Sequence, residues 1–278
     1  MSVKIVVDST VDLPAALHSR VKAVALAVRF GEEEFLDGET ITAQQFYEKL
    51  VSSEQLPTTS QPTPAAFEDA YREAVEQGDE VVCITISSRL SGTYQSATIA
   101  AEEFPGKVFV VDSRSAAIAS GALTEYALEL ADRGFSGQQI LGELMEKRKK
   151  LRLYAIVDTL EYLKKGGRLS AAVALVGGML NIKPIICVED GEIKVVGTAR
   201  GMKKAFATLT ECAEKNGGKD AAMPAMLGYT GQSDEQMKKY MEENEVLWPG
   251  DTHTSIVGAA IGTHAGPGAV AAAFFSVE

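Results

Sequence analysis

The chain begins as an alternation of short apolar runs and amphipathic stretches. Val3 to Val7 is apolar and stops at Asp8-Ser9-Thr10; Val21 to Phe30 is a second β-rich run. From Thr42 to Val51, Phe46, Leu50 and Val51 recur at helical spacing. Thr63 followed by Pro64 marks a helix start, Phe67, Tyr71 and Val75 supply its apolar face, and Gly78 ends it. Glu80 to Ile86 and Val108 to Val111 read as further strands, with a hydroxyl-rich turn and a helix to about Glu103 between them. Helical patterns then cover Ser115 to Arg133 and Gln138 to Lys150. This order predicts a parallel sheet with helices on both faces.

The pattern changes after the basic cluster Lys147 to Arg152, which suits a helix C-terminus. A domain boundary is set there, giving residues 1–150 and 151–278. Leu153 to Val157 predicts a strand, and Leu160 to Leu180 a helix–turn–helix region. Ile182 to Val188 and Glu192 to Gly197 flank Glu189-Asp190-Gly191, a hairpin signal. Met202 to Asn216 and Asp234 to Asn244 are helical, and Met223 to Tyr229 is a strand. Thr252 to Val277 reads as two strands, near Ser255 to Ala260 and Ala269 to Phe275, around the turn GTHAGPG. The fold class expected is α/β in two domains: a parallel sheet first, then a smaller mixed-sheet α/β domain.

Charge removes several functions. With 27 basic and 38 acidic residues the chain carries −11, which disfavours nucleic acid. It leaves room for a small anion, which needs only a local cluster of donors. Cys83, Cys187 and Cys212 form no CxxC pair, and the three histidines show no zinc spacing. No apolar run is long enough to span a bilayer. The N-terminus meets Asp8 before a signal-peptide core could form, so a cytoplasmic location is expected.

Candidate chemistry gathers at strand ends, where open α/β sheets bind ligands. Thr58, Thr59, Ser60 and Thr63 lie in TTSQPTP; Ser87, Ser88, Ser91 and Thr93 lie in SSRLSGTYQSA. Each segment reads as a turn at a helix N-terminus with more hydroxyls than one helix cap uses, and Gly92 permits close backbone approach. Asp8 and Asp112 end strands, as caps or as magnesium ligands. GTHAGPGA puts His264 among small residues, and TLEYLKKGGRLS carries Arg168; Arg200 follows a strand. There is no GxxxxGK[ST] and no GxSxG. Donors without a lysine suit a carboxylate or a small phosphate. An enzyme acting on a small anionic substrate, a phosphotransferase or hydrolase, is the alternative these residues leave open.

Taken in order, VVDST, TSQPTP, ISSRLSGTYQSA, VVDSRSA, TLEYLKKGGRLS, LNIKPI and THAGPGA resemble the DegV family of bacterial fatty-acid-binding proteins, across nearly the whole chain. That family includes the fatty-acid-binding subunit of fatty acid kinase. The resemblance implies a carrier, not itself an enzyme, that buries one long-chain fatty acid between two domains and needs no cofactor. Thr59, Ser91 and His264 would meet the carboxylate, with Ser60, Gly92 and Thr93 beside them. A separate ATP-dependent kinase would phosphorylate the bound acid. An acyl-phosphate acyltransferase would take the product for phospholipid metabolism, with room for a transient membrane encounter. Arg168 and Arg200 would face the kinase. Leu160, Leu163, Val173, Leu175, Met179, Leu180, Ile182 and Ile261 are candidate tunnel linings, equally good as ordinary core.

Overall fold

In the computed structural model, which describes residues 2–169, 181–215 and 217–278, the chain opens with β1 (Val3–Asp8) and β2 (Val21–Val24). Next come β3 (Ala27–Phe30), β4 (Glu33–Leu36), α1 (Ala43–Ser52) and β5 (Thr58–Ser60). The alternating part follows: α2 (Pro64–Glu76), β6 (Glu80–Thr85), α3 (Thr93–Ala101), β7 (Val108–Asp112), α4 (Ala117–Asp132) and α5 (Gly137–Lys147). Local signals set several starts. Thr42 and Gln45 close a capping box on α1, and Thr63 caps α2 ahead of Pro64.

Strands β2-β1-β6-β7 form a parallel sheet in that order. Val6, Val81 and Cys83 pack against α2 and α3 through Phe67, Tyr71 and Ala97. Ile5, Val82 and Ile84 face α4 and α5 through Ile118, Leu123 and Ile140. Burial on both faces is why the central strands β1 and β6 are nearly continuous apolar runs rather than alternating ones. A small antiparallel sheet, β4-β3-β5, stands apart.

The second half contributes β8 (Leu151–Ile156), α6 (Glu161–Lys165), β9 (Ile182–Glu189), β10 (Glu192–Arg200) and α7 (Met202–Lys215). It ends with β11 (Met226–Tyr229), α8 (Glu235–Glu243), β12 (His253–Ile256), α9 (Ala259–Ala265) and β13 (Val270–Phe275). Its sheet runs β10-β9-β8-β13-β11-β12, antiparallel except for β11 beside β12. The Asp-Gly hairpin is present: Asp190 and Gly191 both take positive φ, 52° and 83°. One face packs on α7, α8 and the turn after α8 through Phe206, Leu209, Tyr240 and Trp248. The other joins the core beneath α4, through Leu153, Ala155, Ala271 and Phe275. Helix α4 is thus a layer between the two large sheets, and one hydrophobic core runs through both halves.

Two readings of the sequence are corrected. The segment TTSQPTP begins as strand β5, paired with β3 (Thr59 opposite Val28), rather than as a turn. The segment around His264 is helix α9, not a strand followed by a turn, and β12 stops at Ile256. The reason is remote in sequence. Asp37 accepts from the backbone N–H groups of Ala259 and Ala260 at 2.9 and 3.0 Å, and Asp12 from that of Gly258 at 2.8 Å. These carboxylates cap a helix whose own residues carry no cap. Of the helix–turn–helix region, α6 is present; Val173, Leu175, Met179 and Leu180 lie outside the described residues.

Candidate ligand-binding site

An apolar cavity lies between the two large sheets. Ile86 lines it from the first sheet, and Leu153, Ala155, Ile186, Val188 and Ala271 from the second. Leu163 and Ile261, expected as linings, are in its wall. Leu160 is core instead, and Ile182 is half-buried at the start of β9.

Four polar groups cluster in its wall: Thr59, Ser91, Arg168 and His264. Three separate devices bring them together. Strand alternation turns Thr59 inward and leaves Thr58 and Ser60 exposed, so Ser60 is no part of the cavity wall. Ser91 sits in the loop between β6 and α3, its backbone N–H donating to Ser87 O at 3.2 Å. His264 stands in the last turn of α9. Thr59 Oγ1 and His264 Nε2 are 3.0 Å apart. Ser91 Oγ lies 2.9 Å from Thr93 Oγ1 and accepts from the Thr93 backbone N–H at 3.3 Å.

Thr93 and Gly92 act behind this cluster. Thr93 is wholly buried and supports Ser91 rather than reaching the cavity. A Cβ on Gly92 would come within 2.0 Å of Gln61 Oε1. Gln61 Nε2 in turn donates to Ser96 Oγ at 2.9 Å. The close approach expected at Gly92 is therefore made by Gln61, which locks the TSQP segment onto the start of α3.

Arg168, expected to face a partner, is half-buried and lines both the cavity and an outer cleft. Its Nη1 donates to Gly166 O at 2.6 Å and its Nε to Leu90 O at 3.2 Å, which hold the guanidinium at the head of the cavity. Arg200 is exposed at the end of β10, opposite Ile182 and outside the cavity wall. Burial, and then the charge of Arg168, push the His264 pKa down to about 4, so the ring is neutral at neutral pH. Its buried Nδ1 has no partner among the described residues.

A second cleft, of about 950 Å³, meets the cluster from outside and shares Thr59, Arg168 and His264 with the apolar cavity. Lys165, Tyr162 and Glu54 lie along it. The polar end is therefore open to the surface while the apolar walls run inward.

The strand-end aspartates are already engaged. Asp8 accepts from the Thr10 backbone and hydroxyl and from Ile86 N–H; burial pushes its pKa up to about 6. Asp112 accepts from Ser88 and from Arg114 N–H. These bonds fix the loops that carry Thr10 and Ser91. Thr10 and Thr230 also line the cavity. Thr10 belongs to the strand end Asp8-Ser9-Thr10 seen in the sequence but was not among the expected ligand residues. Thr230 ends β11 with no neighbouring motif.

The sequence profile of the DegV family, described as a family of uncharacterised proteins, matches residues 2–277. The chain belongs to the DegV family. A DegV domain-containing protein of Deinococcus radiodurans is 39% identical over 282 residues, 98% of each chain. Among solved structures, a DegV family protein from Thermus thermophilus, described for its fatty acid binding, superposes with TM-score 0.89. It is 36% identical, and the match covers 100% of both chains. DegV from Bacillus subtilis, described as a fatty acid binding protein, has TM-score 0.84 at 31% identity over 99% of each chain. The parallel sheet followed by a mixed sheet is thus a DegV fold. No helix among the described residues is long and apolar enough to cross a membrane.

Proposed function

We propose that this DegV family chain binds one long-chain fatty acid, its tail between residues 1–150 and 151–278 and its carboxylate at Thr59, Ser91, His264 and Arg168. The observation that carries this reading is an apolar cavity in whose wall Thr59, Ser91, Arg168 and His264 cluster beside an outer cleft. Each buried methylene contributes ~0.8 kcal/mol, so ~14 of them offer on the order of 11 kcal/mol before the costs of association. The tail supplies affinity; the head supplies orientation. A neutral His264 with its proton on Nε2 donates to Thr59 Oγ1, which frees the Thr59 hydroxyl to donate into the cavity. Thr93 does the same for Ser91. A buried carboxylate needs such donors, and Arg168 adds its charge.

The role is that of a carrier in the cytoplasm, not a catalyst. The cleft that shares Thr59, Arg168 and His264 with the cavity offers a separate ATP-dependent kinase a route to the carboxylate. The acyl-phosphate would then pass to an acyltransferase. Arg168 serves the head group, and exposed Arg200 serves partner contact. Native mass spectrometry of freshly purified protein, with identification of released lipid, tests the reading. A one-to-one fatty acid adduct is expected. An empty protein that also fails to take up added palmitate or oleate would overturn it.

A further inference from the structure

Beyond the far wall of the cavity the molecule turns cationic. Leu153, Cys187 and Val188 line the cavity and also a separate surface cleft of about 1070 Å³. Arg114, Arg148, Lys149 and Arg152 stand around that cleft, opposed by Glu189 and Asp190. Such a concentration runs against a net charge of −11.

Setting aside the charges paired at its rim leaves three arginines facing Asp190. Glu189 is engaged by Lys194, and Lys149 by Glu146. Arginine–carboxylate pairs among the described residues are made by Arg20, Arg29 and Arg89, and by none of the three arginines here. Arg148 Nη1 donates to Asp112 O; Arg152 Nη1 donates to Lys149 O and Leu151 O at 2.7 and 3.1 Å, and its Nη2 to Glu278 O at 3.5 Å. Those main-chain oxygens hold the two half-buried guanidinium groups in place. Asp112 spends its carboxylate on Ser88 and on the Arg114 backbone N–H. The Arg114 side chain is exposed, with no bond among the described residues. Burial, and then the Arg114 charge, lower the Arg148 pKa from its ordinary value, while Asp112 pulls it the other way.

We propose that this cleft is a binding site for a phosphate group, borne by a soluble anion or by a lipid head. Guanidinium forks match phosphate oxygens, and two of these forks are held in place before any ligand arrives. The apolar floor of Leu151, Leu153 and Val188 accepts the carbon part of a phosphate-bearing molecule. The site is separate from the Thr59–His264 cluster and shares only a wall with the tail of the cavity.

Two probes distinguish the sources on the full chain: inorganic phosphate, followed by amide chemical shifts, and sedimentation with phosphatidylcholine vesicles with or without phosphatidylglycerol. Arg114→Gln with Arg152→Gln should weaken whichever probe binds by at least about tenfold. Arg20→Gln, which removes a cation elsewhere, should leave it unchanged. Binding of phosphate identifies a soluble ligand; binding only of phosphatidylglycerol vesicles identifies a lipid head. Absence of both, equal binding by the double variant, or an equal loss in Arg20→Gln overturns the proposal. Arg114→Gln alone guards against a folding failure, since that exposed side chain holds nothing.

Discussion

The two ends of the cavity are built on opposite principles. At the head, a few polar side chains come from β5, the β6–α3 loop, the stretch after α6 and α9, each fixed by hydrogen bonds to something other than a ligand. At the tail, the walls are the inner faces of strands, made of residues that would serve any core. A polar group inside a protein must be paired or held open for a partner, so it leaves a trace in its neighbours. An apolar wall needs only the right size and leaves none. Specificity of head group and capacity for a tail should therefore fail separately.

The largest effect should come from the tail. Ala155→Phe puts a ring into the cavity and displaces roughly four methylenes, worth about 3 kcal/mol at ~0.8 each. Palmitate affinity measured by titration should fall about a hundredfold, with the fold intact by circular dichroism. Unchanged affinity would mean that the tail takes another route.

At the head, Thr59→Val removes a hydroxyl from the 3.0 Å pair with His264. Loss of that donor should cost ~1–3 kcal/mol, or roughly five- to 150-fold in affinity for the acid. Affinity for the methyl ester should change less. Equal losses for acid and ester would break the distinction between the two ends.

The pH dependence is smaller and has a defined sign. The folded pKa of His264, about 4, lies below the ordinary value of 6.5. Its contribution to stability is complete above about 6.5 and is lost as pH falls through 4. Asp8, raised to about 6 by burial, acts oppositely: its contribution is present below its ordinary value of 3.8 and is lost as pH rises through 6. Melting curves of the wild type and His264→Gln between pH 7 and pH 4 isolate the histidine. The variant should lose less stability on acidification. Parallel curves would place the ring in a wetter setting. The smallest effect belongs to Arg200→Ala, at an exposed strand end, which should move palmitate affinity by less than ~0.5 kcal/mol.

How much of this could be read in advance follows the same division. Alternation of runs was enough for both large sheets, and Asp190-Gly191 for the hairpin. The segments around Thr59, Ser91 and His264 stood out by their excess of hydroxyls and small residues, but the resemblance to the DegV family was needed to pick out these three residues. Ser60 was included with them because β5 has three residues, too few to show its alternation. Helix α9 was hidden because its caps come from Asp12 and Asp37, more than two hundred residues earlier. Arg168 could be located in its motif, but only the carbonyls of Leu90 and Gly166 decide which way it faces.

The cavity also bears on how long the molecule lasts. An empty space between two sheets deprives its walls of contacts, and a bound chain restores them. Whatever fills it stabilises the folded state in proportion to the logarithm of its free concentration. Unfilled copies would open more often and meet proteases sooner than filled ones. The amount of protein surviving in a cell would then track the supply of its ligand, with no dedicated sensor needed.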